Sequence, residues 1–125
     1  MTKSDLVVLA VDDDMINLKL LKSMLKKSGK VKEVIEAKNG SDAIGQLKSR
    51  DDIDLILLDI IMPIMGGIDM LKVVRADENL RQLPIIVLTT DETKKVEALE
   101  CGANGFLMKP IRNDDLLKKM ATVIV

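Results

Sequence analysis

Residues 53–67 read Ile53-Asp54-Leu55-Ile56-Leu57-Leu58-Asp59-Ile60-Ile61-Met62-Pro63-Ile64-Met65-Gly66-Gly67. Residues 53–58 form the most apolar run in the chain. A strand covered on both faces reads this way, and such strands belong to parallel sheets, so this run predicts a central strand. It breaks at the carboxylate of Asp59. Pro63 and the paired Gly66 and Gly67 then mark a loop.

Three other apolar runs break into a polar group in the same manner. Residues 6–11 lead into Asp12, Asp13 and Asp14, residues 85–88 into Thr89, and residues 106–108 into Lys109. Between the runs lie segments with helical periodicity, and this alternation predicts βα units around a parallel sheet. After the first strand, Ile16, Leu20, Leu21, Met24 and Leu25 recur at helical spacing, with Gly29 as the stop. Residues 31–37 are a less apolar strand, expected nearer an edge. Asn39-Gly40-Ser41 caps a short helix with Ala43, Ile44 and Leu47 inward. A third helix has Ile68, Leu71, Val74 and Val73 inward. A fourth covers about residues 92–101, with Val96 and Leu99 inward and Gly102 as its stop. A fifth starts near Asn113 and buries Leu117, Met120, Ala121 and Ile124. The fold class is therefore α/β, a single (βα)5 domain over residues 1–125 with its core at about 6–124.

Composition narrows the function. The chain has 125 residues, a net charge of −1, no histidine, one cysteine and one aromatic residue, Phe106. The absence of histidine removes Ser-His-Asp and Cys-His catalysis and imidazole metal sites. The lone Cys101 forms no internal disulfide or thiolate cluster, and its neighbours predict a small buried hydrophobe. One ring does not make a base-stacking surface, and the charge balance offers no long-range attraction to nucleic acid. The eight methionines are scattered and read as core filling. Charged residues interrupt every apolar run, so no membrane span is expected. The N-terminus Met1-Thr2-Lys3-Ser4-Asp5 lacks a signal segment, so the cytoplasm is the default expectation. The end Val123-Ile124-Val125 has no polar tail and suggests a domain cut from a longer protein.

In open α/β sheets the ligand crevice lies beyond the carboxyl ends of the strands. Carboxylates, a hydroxyl and an amine from distant parts of the chain therefore gather at one edge. Asp14 is explained as a helix cap, but three aspartates directly after an apolar run exceed what capping requires. Crowded carboxylates repel unless a cation offsets them, and magnesium binds through one or two carboxylates plus phosphate oxygens. Asp12, Asp13 and Asp59 carry −3, Lys109 returns this to −2, and a divalent ion neutralises it. Lys109 lies between an apolar run and Pro110, so its ammonium needs an anionic partner, and Pro110 favours a cis peptide in a tight turn. A carboxylate can attack phosphorus to form an aspartyl phosphate. The set describes a magnesium-assisted phosphoryl-accepting site with Asp59 as nucleophile.

These motifs together resemble the response-regulator receiver domain of two-component signalling, chemotaxis-type. The resemblance spans the chain from Leu6 to the last helix. It rests on the acidic pair Asp12 and Asp13, the Asp-x-x-Met-Pro-x-Met run from Asp59 to Met65, Thr89, Lys109-Pro110 and Phe106. It implies a doubly wound sheet in the flavodoxin-like order 2-1-3-4-5 with helices on both faces; that order comes with the family. It implies that Asp59 takes a phosphoryl group from a phosphohistidine on a histidine kinase or histidine phosphotransfer protein. Mg2+ would be held by Asp13, Asp59 and the backbone carbonyl of Ile61, with Asp12 acting through water. Lys109 would pair with the phosphoryl group and Thr89 would donate its hydroxyl to it. Phe106 would then shift inward, altering the face of the fourth helix, fifth strand and fifth helix that a downstream partner or fused output domain reads. Such a domain catalyses its own phosphorylation and dephosphorylation as a signalling phosphoprotein, rather than acting as a turnover enzyme.

Three positions depart from the family pattern: Thr90 where a small residue is usual, Ile61 where many members are polar, and Gly66 where Asp or Asn is common. Ile61, Thr90 and Asp91 are expected to modulate the site, the first two by hindering water and prolonging the phosphorylated state. A phosphatase of the haloacid dehalogenase type would need a second aspartate where Ile61 stands. A flavodoxin would need a hydroxyl-rich phosphate loop and aromatic walls. A receiver-like module that switches without phosphorylation has no need of the complete Asp/Asp/Asp/Thr/Lys set.

Overall fold

The computed structural model describes residues 5–124. Expectations that rest on Met1–Ser4 or Val125 lie outside the described residues. Five strands, β1 (Leu6–Val11), β2 (Val31–Ala37), β3 (Leu55–Asp59), β4 (Ile85–Thr89) and β5 (Gly105–Met108), alternate with five helices. The helices are α1 (Met15–Lys27), α2 (Gly40–Ser49), α3 (Gly67–Ala76), α4 (Lys95–Glu100) and α5 (Asn113–Val123). The sheet is parallel throughout, in the order β2-β1-β3-β4-β5. Every residue of β1, β3 and β4 is buried, as interior strands require, whereas the edge strands β2 and β5 are only partly covered.

Side chains alternate across a strand, and the sheet sorts its residues accordingly. Val7, Leu9, Val11, Ile56 and Leu58 face α2, α3 and α4 through Ala43, Leu47, Met70, Leu71, Val74 and Ala98. Leu6, Val8, Ala10, Leu55 and Leu57 face α1 and α5 through Leu18, Leu21, Leu25, Leu116 and Met120. Two helices thus cover one side and three the other.

Several inward assignments are corrected. Ile16 and Leu20 are 69% and 58% exposed; Leu18 takes their place inward beside Leu21 and Leu25. Val96, Leu99, Val73 and Ala121 also point outward. The fourth helical segment opens with a 3-10 turn over Glu92–Lys94, which leaves an α-helix with one buried position, Ala98. β5 lies at an edge, so Lys109 emerges from a half-covered strand and not a buried one. Cys101 is half-buried, packed against the core. Helix stops behave as read: Gly29 and Gly102 adopt φ of +74° and +106°, the left-handed conformation that glycine tolerates.

At the sheet edge remote from the four polar strand ends, Arg75 of α3 fastens two loops. Its Nε and Nη2 donate to Gly102 O at 3.0 and 2.8 Å, and its Nη1 donates to Arg81 O and Leu83 O at 2.9 and 2.8 Å. Nη2 also donates to Asn104 Oδ1 at 2.8 Å, and that oxygen accepts the N–H of Ile85 at the start of β4. A Cβ at Gly102 would press on the Arg75 side chain at 2.9 Å.

Candidate functional site

β1 and β3 lie in register with Val11 opposite Leu58, so Asp12 continues the row that carries Asp59. Both are buried, at 1% and 8% exposure, while Asp13 is exposed. Alternation sends the side chains of Asp12 and Asp13 apart at the strand end. The turn into α1 brings them back together, and one carboxylate oxygen from each of Asp12, Asp13 and Asp59 lies within 4.8 Å of the others. Asp12 helps to make that turn, since its Oδ1 accepts the N–H of Asp14 at 2.9 Å. Asp14 caps α1 by accepting the N–H of Ile16 at 2.9 Å, the role read for it from sequence.

Lys109 arrives from the far side of the sheet. Its Nζ donates to Asp12 Oδ2 at 2.9 Å and lies 3.5 Å from Asp59 Oδ1. The Lys109–Pro110 peptide is cis, and the Lys109 N–H donates to Thr89 O at 2.8 Å, which ties the lysine's backbone to β4. Burial pushes the Asp59 carboxyl up to about 6; the neighbouring Lys109 opposes this and the negative Asp12 adds to it. The phosphoacceptor candidate thus gives up its proton near neutrality, in a site where an added cation would favour the anion.

Thr89 ends β4 with its side chain enclosed at 1% exposure. Its Oγ1 accepts the N–H of Asp91 at 3.1 Å. The Asp91 carboxylate caps the 3-10 turn by accepting the Thr93 N–H at 3.0 Å and the Thr93 hydroxyl, and these bonds hold its carboxyl below the usual range. Phe106 sits opposite Val87 on β5, half-buried against the core on the α2–α3–α4 side. Ile61 and Thr90 are exposed.

Two residues that shape the site were not singled out from sequence. Thr93 reads as an ordinary surface threonine and shows its role only through Asp91. Gly67 was read as half of a loop signal, but it does more: a Cβ there would collide with the carbonyl of Asp59. Its N–H donates to Ile60 O at 2.8 Å, folding the loop back over the end of β3. A groove at the opposite end of the sheet, lined by Leu47, Arg50, Ile53, Leu80 and Leu83, holds none of the predicted site residues.

Three hard oxygen donors, offset by one ammonium, leave a local charge of −2. Oxygen donors and excess negative charge suit a small divalent cation such as magnesium, so the donor set fits the ion expected from sequence.

A family model, the response regulator receiver domain, matches residues 8–121. The chain belongs to that family. It is 34% identical over 119 residues to the chemotaxis protein CheY1 of Helicobacter pylori strain J99, covering 94% of this chain and 95% of that protein. The solved structure of the chemotaxis response regulator CheY4 of Vibrio cholerae superposes with a TM-score of 0.87 at 33% identity, covering 97% of this chain and 100% of that one. The receiver domain of the sensor histidine kinase PA1611 of Pseudomonas aeruginosa superposes with a TM-score of 0.83 at 28% identity, covering 94% and 95%. That structure carries a magnesium ion coordinated in its active-site cleft. This chain is thus a receiver domain of two-component signalling, with the flavodoxin-like sheet order expected of one. Among the described residues, no helix is long and apolar enough to cross a membrane.

Proposed function

We infer that this receiver domain, spanning residues 1–125, is a cytoplasmic phosphoryl-accepting switch whose acceptor is Asp59. The reading is carried by one observation: Asp12, Asp59 and Lys109, from three strand ends, form a single charged cluster with Asp13 beside it. A carboxylate oxygen of Asp59 forms the new O–P bond as the N–P bond of a phosphohistidine breaks, and the imidazole keeps the electron pair and takes a proton. The donor is a histidine kinase or phosphotransfer protein, because this chain has no histidine of its own.

Asp13, Asp59 and the Ile61 carbonyl would hold Mg2+, with Asp12 acting through water. When bound, the ion neutralises the phosphoryl oxygens, which is most of what a loose phosphoryl-transfer transition state needs. Lys109, held between Asp12 and Asp59, is within reach of a phosphoryl oxygen once Asp59 carries one. Thr89 donates its hydroxyl to another, the loop after β4 moves inward, and Phe106 follows. The face of α4, β5 and α5 then changes for a downstream partner or a fused output domain. The exposed Ile61 and Thr90 flank the acceptor and Thr89 in sequence and slow hydrolysis by limiting water; Ile61→Asn speeds loss of the phosphoryl group if this holds.

Intact mass after incubation with Mg2+ and acetyl phosphate tests the reading. A single phosphoryl adduct forms on the protein, is absent from Asp59→Asn, and is suppressed by EDTA. An adduct that survives Asp59→Asn would overturn the assignment, and turnover of assorted phosphoesters would favour a phosphatase.

A further inference from the structure

We propose that Asp91 and Thr93 are positioning residues for the Thr89 hydroxyl, setting how well it meets an anionic phosphoryl oxygen. The inference rests on the receiver reading above. Thr89 Oγ1 accepts the Asp91 N–H, and among the described residues no group takes the hydroxyl proton in return. That bond occupies an oxygen lone pair and leaves the proton for a ligand. A hydroxyl that already accepts a hydrogen bond is polarised into a better donor.

The Asp91 N–H points at Thr89 because its residue is fixed from the other side. The Asp91 carboxylate takes both the N–H and the hydroxyl of Thr93, and its carbonyl accepts the Lys94 N–H at 3.2 Å. Beyond this cap the segment is held only by backbone, the Lys95 N–H donating to Glu92 O where the turn runs into α4: Glu92, Thr93 and Lys94 contribute no buried side chain, and a single 3-10 turn has poor hydrogen-bond geometry. The cap therefore sets the angle at which the Asp91 N–H meets Thr89. A cap that only ordered the loop would act whether or not Thr89 had a hydroxyl; one that acts through Thr89 would not.

The test is a set of titrations of the whole domain with beryllium fluoride in saturating Mg2+, followed by amide NMR. Asp91→Ala weakens fluoroberyllate binding about fivefold, the factor corresponding to loss of one N-cap, at unchanged Mg2+ affinity. Asp91→Asn, which keeps the cap but removes the charge, restores binding to within about twofold, and Thr93→Val falls between. In a Thr89→Ala background, Asp91→Ala has no further effect, the signature of two residues acting as a unit. An undiminished loss in that background would overturn the proposal. So would an Asn variant as weak as the Ala one, since the carboxylate's charge would then be the cause. Failure of the wild-type domain to bind fluoroberyllate at all would instead remove the receiver chemistry itself.

Discussion

Asp12 has both carboxylate oxygens engaged, Oδ1 by the Asp14 N–H and Oδ2 by Lys109, at 1% exposure. Removing one partner of a buried pair leaves an uncompensated charge and costs more than the pair itself contributes. Lys109→Met should therefore destabilise the metal-free domain by on the order of 3 kcal/mol in urea unfolding. Added Mg2+ should narrow that gap by supplying a replacement cation; a gap that Mg2+ leaves unchanged would mean that Asp12 does not sense the ion. The pH response of Asp59 has the opposite sign from most acidic residues. Its carboxyl is raised from the ordinary 3.8 to about 6 in the folded protein, so the fold binds that proton more tightly than the unfolded chain does. The stability it contributes is complete below pH 3.8 and is lost as pH rises through about 6. Asp59→Asn should accordingly raise the melting temperature in EDTA at pH 8, with the gain vanishing near pH 4. An equal gain at both pH values would contradict the burial-driven shift.

The β3–α3 loop and two of the helices with corrected inward positions, α1 and α4, show what an element imposes on its residues. Ile64, a β-branched residue, has φ of +68° and is 86% exposed; backbone in this region costs ~1–3 kcal/mol and is held by surrounding contacts. Here the contacts are Met65 O accepting the Gly40 N–H at 2.9 Å, and Gly67, which leaves no room for a Cβ against Asp59. Ile64→Asn should raise stability by about 1 kcal/mol, because Asn tolerates this region and little packing is lost; calorimetry that finds a loss would show a native contact for the isoleucine. No side chain caps α3, whose N-cap is Gly66, the position that departs from the family's Asp or Asn. Strands were legible because an interior parallel strand needs only one signal, an unbroken apolar run, as in β1, β3 and β4. Helix faces were less so. In α1, Ile16-Leu20-Met24 and Leu18-Leu21-Leu25 both fit a helical period, and sequence spacing does not say which stripe meets the sheet. Leu18 wins because it packs with Leu6, Val8 and Leu57, a fact of tertiary placement. Val96 and Leu99 were misread because the 3-10 turn shortens α4 to six residues, leaving Ala98 as its inward position.

At the scale of the molecule, parallel register turns four distant sequence breaks into one site. Val11 opposite Leu58, Asp59 opposite Leu88 and Thr89 opposite Met108 align the strand ends. Asp12, Asp59, Thr89 and Lys109 were legible for that reason: each interrupts an apolar run at a strand's carboxyl end. Thr93 was not, because its role depends on a turn with no periodic signature. Arg75 holds the opposite end through five hydrogen bonds to uncharged acceptors, a fork that lysine does not reproduce. Arg75→Lys should cost on the order of 3 kcal/mol in thermal or urea unfolding while acetyl phosphate still modifies Asp59. A variant as stable as the parent would show those carbonyls to be satisfied by water. The far edge of the sheet is therefore stitched shut, whereas the near edge is assembled from loops and opposed charges. With Gly102 tied to Arg75, the exit of α4 is a fixed post, and the anchored end of that short helix is the one farther from Asp59.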